Sequence, residues 1–198
     1  MKLISLVLVS ALAAASQADI LFASGNNPQT DEVVQFNSAS LLDDALLIEG
    51  ETNSTATIIE FYGAGEILTS PSAGQARIEA VDGAFTDLTM SVKAGQAFDA
   101  FTSIILNINA ADDGQVLLTG NDGTNDFSAL FDLDGNGENF FTITTSNNQT
   151  IKSFKLQSTV DLEDVGQVRV GLAPVPEPAS MVALGLGALG ILKRRRKS

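Results

Sequence analysis

The chain has 198 residues, room for one domain of ordinary size plus targeting segments. It contains no Cys and no His, which excludes disulfides, thiolate metal sites, zinc sites built on imidazole and every Ser-His-Asp or Cys-His catalytic arrangement. Its net charge is −13, and the absence of Trp with a single Tyr leaves only Phe and Tyr62 for aromatic platforms.

The N-terminal segment, residues 1–18, reads as a secretory signal peptide. Lys2 forms a short basic region, Leu3 to Ala15 is apolar apart from Ser5 and Ser10, and Ser16-Gln17-Ala18 puts small residues at a cleavage site before Asp19. The apolar run is too short for a stable transmembrane helix.

Residues 19–173 form the predicted ectodomain. Five basic residues (Arg77, Lys93, Lys152, Lys155, Arg169) stand there against 23 of the 24 acids, a local charge near −18. Such a field repels nucleic acid and anionic lipid and keeps the domain soluble; it attracts divalent cations or basic partners. Strand signals follow one another between turn residues. They run over 56–62, 75–81, 85–92, 103–109, 115–119, 127–131, 140–145, 151–156 and 165–170, separated by Gly63-Ala64-Gly65, Asp82-Gly83, Ala111-Asp112-Asp113-Gly114, Asp134-Gly135-Asn136-Gly137 and Ser146-Asn147-Asn148. Eight or nine short strands with Asp-Gly and Asn-rich turns predict an all-β antiparallel sandwich or jelly roll. Residues 39–48 are the one stretch with a rival helical pattern. No repeat of fixed period is present.

Three constellations within this domain bear on chemistry. In Asp132-Leu133-Asp134-Gly135-Asn136-Gly137-Glu138, oxygen ligands alternate ahead of a glycine, as a calcium loop requires, with Asp132, Asp134, Asn136 and Glu138 as the candidate ligands. The match to a helix–loop–helix calcium site ends early, because its ninth and twelfth positions are Phe140 and Ile143. The same residues also suit a β-hairpin turn. Asp112-Asp113-Gly114, Asn121-Asp122-Gly123 and Asn125-Asp126 read as turns unless folding carries them beside the first loop. The acid pool could hold a pair of glycosidase carboxylates, but nothing in the sequence selects a pair and the aromatic content is low for a sugar cleft. No catalytic residue is therefore assigned, and the ectodomain reads as non-enzymatic.

The C-terminal segment, residues 174–198, has three parts. Pro174, Pro176 and Pro178 hold the chain extended around Glu177. Residues 181–192 are apolar, uncharged and broken only by Gly185, Gly187 and Gly190, a short predicted helix. The block Lys193, Arg194, Arg195, Arg196, Lys197 keeps that end cytoplasmic and the ectodomain outside. Twelve helical residues rise only about 18 Å against a hydrocarbon core of roughly 30 Å, which suits temporary anchorage.

Val175-Pro176-Glu177-Pro178-Ala179-Ser180, the Gly-rich apolar stretch and the terminal Arg cluster together resemble the PEP-CTERM sorting signal. The resemblance implies recognition by an exosortase, a membrane enzyme that cuts near Pro176-Glu177-Pro178, after the secretion machinery has exported the chain. It also implies passage across the inner membrane of a Gram-negative-type bacterium, transient membrane anchorage through residues 181–192, and a final place at the cell surface or in an extracellular matrix, where extracellular polysaccharide is a possible partner. The central part resembles a domain that stands ahead of such signals. Gly74-Gln75-Ala76-Arg77-Ile78-Glu79-Ala80, Gly137-Glu138-Asn139-Phe140-Phe141-Thr142-Ile143 and Gln167-Val168-Arg169-Val170 carry that resemblance, which implies a β-sandwich and no assigned activity. The expectation is a non-enzymatic structural or adhesive surface protein. The alternative is a secreted carbohydrate-binding module or glycoside hydrolase.

Overall fold

Period-2 alternation builds many of the strands of this domain. In β8 (Phe85–Val92), Phe85, Leu88, Met90 and Val92 turn inward and Thr and Ser turn out. The structure is a computed structural model that describes residues 19–37, 44–71 and 74–175. The predicted signal peptide, the apolar helix at 181–192, the basic tail and residues 39–43 of the rival helical stretch lie outside the described residues. So do Ala18 and the motif residues Pro176, Glu177, Pro178, Arg194, Arg195 and Arg196.

The described residues form thirteen strands and no helix. Besides β8 these are β1 (Ile20–Ser24), β2 (Glu32–Phe36), β3 (Leu47–Thr52), β4 (Ile58–Gly63), β5 (Leu68–Thr69), β6 (Gly74–Gln75), β7 (Arg77–Ala80), β9 (Phe98–Ala110), β10 (Gly114–Asn121), β11 (Asp126–Leu133), β12 (Asn139–Thr145) and β13 (Ser153–Pro174). The rival helical stretch is resolved in favour of strand where it is described. Ala45 bridges Leu68, and Leu47 and Ile48 begin β3, because Ile48 is needed opposite Phe61 on the inner face.

The 22-residue β13 is the spine. Its first part, Ser153–Gln157, lies between β8 and β10. The register then breaks between Gln157 and Leu162, and the strand re-pairs with β9 on one edge and with β7 and β2 on the other. The path β8–β4–β3–β2 leaves one part of β13 and returns to the other, which gives the sheet a barrel-like closure. Closure removes free edges along that path. Two branches extend from the spine: β10–β11, and β9–β12–β1. All pairings are antiparallel. The all-β antiparallel expectation is thus met, with barrel-like closure.

Register places Ile48, Phe61, Met90 and Phe154 side by side on neighbouring strands β3, β4, β8 and β13, all buried. Phe36 packs against Phe61 in a tilted arrangement, with ring centroids 5.9 Å apart and an interplanar angle of 40°. The two branches also touch. Phe131 of β11 meets Phe141 of β12 at 5.1 Å, and Ile20 of β1 lies over Gly120 of β10.

Candidate functional site

The β10–β11 hairpin separates the acidic constellations. Its eight paired rows put Gly114 opposite Leu133 at one end and Asn121 opposite Asp126 at the other, about 23 Å apart at the rise of a strand. The first calcium candidate therefore meets Asp112-Asp113-Gly114 and lies far from Asn121–Asp126.

At the near end, residues 134–138 connect β11 to β12. A Cβ on Gly135 would lie 2.6 Å from the Asp112 carbonyl carbon, so only glycine lets this turn press against the β9–β10 turn. Backbone groups of the turn find side-chain partners. Asp113 Oδ1 accepts from Gly135 N at 2.9 Å, Asp134 Oδ1 accepts from Asn136 N at 2.9 Å, and Asn139 Oδ1 accepts from Asp134 N at 2.9 Å. Buried Asn139 also donates to the carbonyls of Ile108 at 3.0 Å and Asp134 at 2.9 Å, tying the turn to β9. Asp132 Oδ1 takes a hydrogen bond from Gln115 Nε2 at 3.0 Å.

These groups border an open depression of about 600 Å³. Asp132, Asp134, Asn136 and Glu138 are all exposed. Among the described residues no group of three or more acidic side chains is gathered as a metal ion requires. The arrangement is that of a hydrogen-bonded turn whose Asp side chains satisfy backbone N–H groups.

The far end uses its acids in the same way. Asp122 Oδ1 accepts from Asn125 N at 2.6 Å and Thr124 N at 2.7 Å, and Gln149 Nε2 reaches Oδ2 at 2.6 Å. Hydrogen bonds from the Asn125 and Thr124 backbone hold Asp122 below the usual value of 3.8, against a smaller upward push from burial. A third turn, between β3 and β4, is capped by Glu32 of β2. Glu32 Oε2 accepts from Thr55 N at 2.8 Å, Thr55 Oγ1 at 3.0 Å and Ser54 N at 3.2 Å. Burial pushes Glu32 up, and the combined hydrogen bonds from Thr55, Thr52 and Ser54 outweigh it, holding the carboxyl below 4.5.

Asp19, the predicted first residue after cleavage, is exposed; its N donates to Ser146 Oγ at 3.4 Å and its carbonyl accepts from Ser146 N at 3.1 Å, immediately before β1 begins at Ile20. At the other end β13 finishes at Pro174. The segment that starts there, residues 174–197, matches the PEP-CTERM protein-sorting motif. No curated protein and no solved structure matches the chain. The motif marks the chain as an exported protein targeted to exosortase, processed at a membrane.

Proposed function

We propose that the chain is an exosortase-processed surface or extracellular-matrix protein of a Gram-negative-type bacterium, and that its ectodomain is a non-enzymatic structural or adhesive unit. The observation that carries this reading is the junction at Pro174. The sorting motif begins where β13, the longest strand among the described residues, ends, so the end left by processing is continuous with the spine of the domain. A pull on that end is spread along β13 and into β9, β2, β7, β8 and β10 at once. This suits a domain held at a surface. We read the two contacting branches as the layers of a sandwich that share β13, in keeping with the Phe131–Phe141 contact. Among the described residues the two carboxylates with shifted acidity, Glu32 and Asp122, both cap turns, which favours a structural use of the acid pool.

The test is mass spectrometry of the mature protein from its native host. Export and processing give ends at Asp19 and near Pro176. Pro176→Ala with Pro178→Ala is expected to leave export intact and to block C-terminal processing. Unchanged mature mass in that double variant overturns the assignment.

A further inference from the structure

The β10–β11 branch ends in an open edge. β11 pairs with β10 alone, through eight rows without a register shift, and among the described residues no other strand pairs with it. Alternate N–H and C=O groups along β11 therefore point away from β10 with no partner strand, and such a row is a template for one more strand. The inner face is open in the same way. Val116, Leu118 and Gly120 of β10 are buried, whereas Phe131, Ala129 and Phe127, opposite them on β11, are only half-buried. The middle of this edge is not blunted. Residues 127–131 carry no charge, no Pro and no bulge, and the acids Asp126 and Asp132 lie toward the ends.

The outer face of the hairpin singles out Leu130. Three of its four outward rows are polar and closed by side-chain hydrogen bonds. Asn121 Nδ2 donates to Asp126 Oδ1 at 2.6 Å, Thr119 Oγ1 and Ser128 Oγ share a bond at 2.8 Å, and Gln115 Nε2 donates to Asp132 Oδ1 at 3.0 Å. The fourth row pairs Leu117 with Leu130. Leu130 is 57% exposed, more than any other large apolar side chain among the described residues, and it stands on the edge strand. An apolar pair there is best covered by a strand that brings apolar side chains to the same row.

We propose that β11 pairs antiparallel with β11 of a second copy of this chain, about a two-fold axis at Leu130. The unpaired backbone groups call for a strand, and β11 is complementary to itself. With Leu130 opposite Leu130 of the second copy, Leu117 and Leu130 of both copies form one apolar row across the joined outer face. Ser128 then faces Asp132 of the second copy, a hydroxyl donor against a carboxylate. On the inner face Ala129 meets Phe131 of the second copy and Phe127 meets its Leu133, which covers the half-buried side chains. Charge selects this register. An axis at Ala129 sets Asp126 against Asp132 of the second copy, and an axis at Phe131 sets Leu130 against that carboxylate. The axis at Leu130 joins leucine to leucine and leaves Asp126 beyond the end of the facing strand. Each domain carries a charge near −18, so the copies repel at long range and salt strengthens the pairing by screening. β11 starts at the end of the domain that carries Pro174. The carbonyl of Asn121, opposite Asp126, accepts from Lys152 N at 2.7 Å, and Lys152 pairs with Asp99, next to Phe98, the partner of Pro174. Antiparallel pairing turns the second copy end over end, so the two Pro174 ends point in opposite directions. Copies held at two opposed surfaces are thereby joined; this last step rests on the sorting reading, and the pairing itself does not.

The chain has no Cys, so introduced cysteines report the contact without background. The full chain in a zwitterionic detergent is oxidised gently, and disulfide-linked dimer is measured on non-reducing gels. Facing residues of adjacent antiparallel strands hold their Cα atoms within disulfide range. Leu130→Cys is expected to cross-link, and more at about 0.5 M salt than at about 0.05 M. Ser128→Cys and Asp132→Cys are expected to cross-link severalfold more in a mixture than either does alone. Leu130→Lys, added to both members of that mixture, sets like charges face to face at an exposed position; it should cut cross-linking about tenfold with the melting temperature unchanged, so the loss cannot be ascribed to lost folding. No dimer from Leu130→Cys at either salt concentration overturns the proposal. Equal cross-linking of Val81→Cys, similarly exposed on the turn after β7, would mark random collision and overturns it too. Self-linking of Ser128→Cys or Asp132→Cys that matches the mixture would set the strands parallel and overturns it equally.

Discussion

Ala56 stands at φ 55° in the turn between β3 and β4, a left-handed conformation that its Cβ opposes and that glycine adopts freely. Ala56→Gly is therefore expected to stabilise the domain by about 1 kcal/mol, read as a rise in melting temperature, because strain relief exceeds the added freedom of the unfolded chain. Glu32 acts on the same turn. Its folded pKa is lowered, so its contribution is complete above the unfolded value of 4.5 and is lost as pH falls through the folded value. Glu32→Gln keeps the shape and removes the charge. The variant should be about 1 kcal/mol less stable near neutral pH, and the two proteins should converge in acid. Denaturant melts at a series of pH values check this; a difference that persists unchanged in acid contradicts the charge-based account.

At the scale of elements, the turn that joins β11 to β12 shows how an acidic motif can be consumed by local bonding. Asp134 bonds its own turn through Asn136 N, and Gly135 seats the turn on the residues before β10. Asp134→Ala is expected to cost about 1 kcal/mol, equally in calcium and in chelator, since what it removes is a hydrogen bond to a turn N–H. Calcium-dependent melting of the wild type that disappears in Asp134→Ala would instead assign the four candidate ligands to a metal. β13 makes the opposite point. Its register irregularities are not ends: the strand continues through each of them, because neighbours go on supplying backbone partners.

At the scale of the whole molecule, β13 closes the sheet, so the core cannot be divided. Phe154 is fully buried where β8, β10 and β13 meet, in the same row as Met90, Phe61 and Ile48. Phe154→Ala should lower stability by about 3–5 kcal/mol and retain a single cooperative transition, measured by thermal and denaturant unfolding. Two separate transitions would show that the branches are independent units and would contradict closure through the spine.

The order of residues by itself determined the all-β class, most of the strand positions from Phe85 onward and the sorting signal at 174–197, because alternation, Asp-Gly turns and a proline–apolar–basic sequence are local patterns. It misled at β13. The polar stretch Ser158–Asp164 looks like a break, yet its carboxylates and hydroxyls lie within a continuous strand, and 151–156 and 165–170 merge into one element. It passed over β1 and β2, which are short and only partly buried; β1 finds its partner β12 more than a hundred residues away, and β2 joins β3 and β6 to the equally distant β13. Tertiary structure alone decided that Asp113 lies beside Asp134 while Asp122 does not, and that β11 stands at an open edge with Leu130 beside Leu117. Those placements follow from antiparallel register and from which strands find a second neighbour, neither of which leaves a mark in the spacing of residues along the chain.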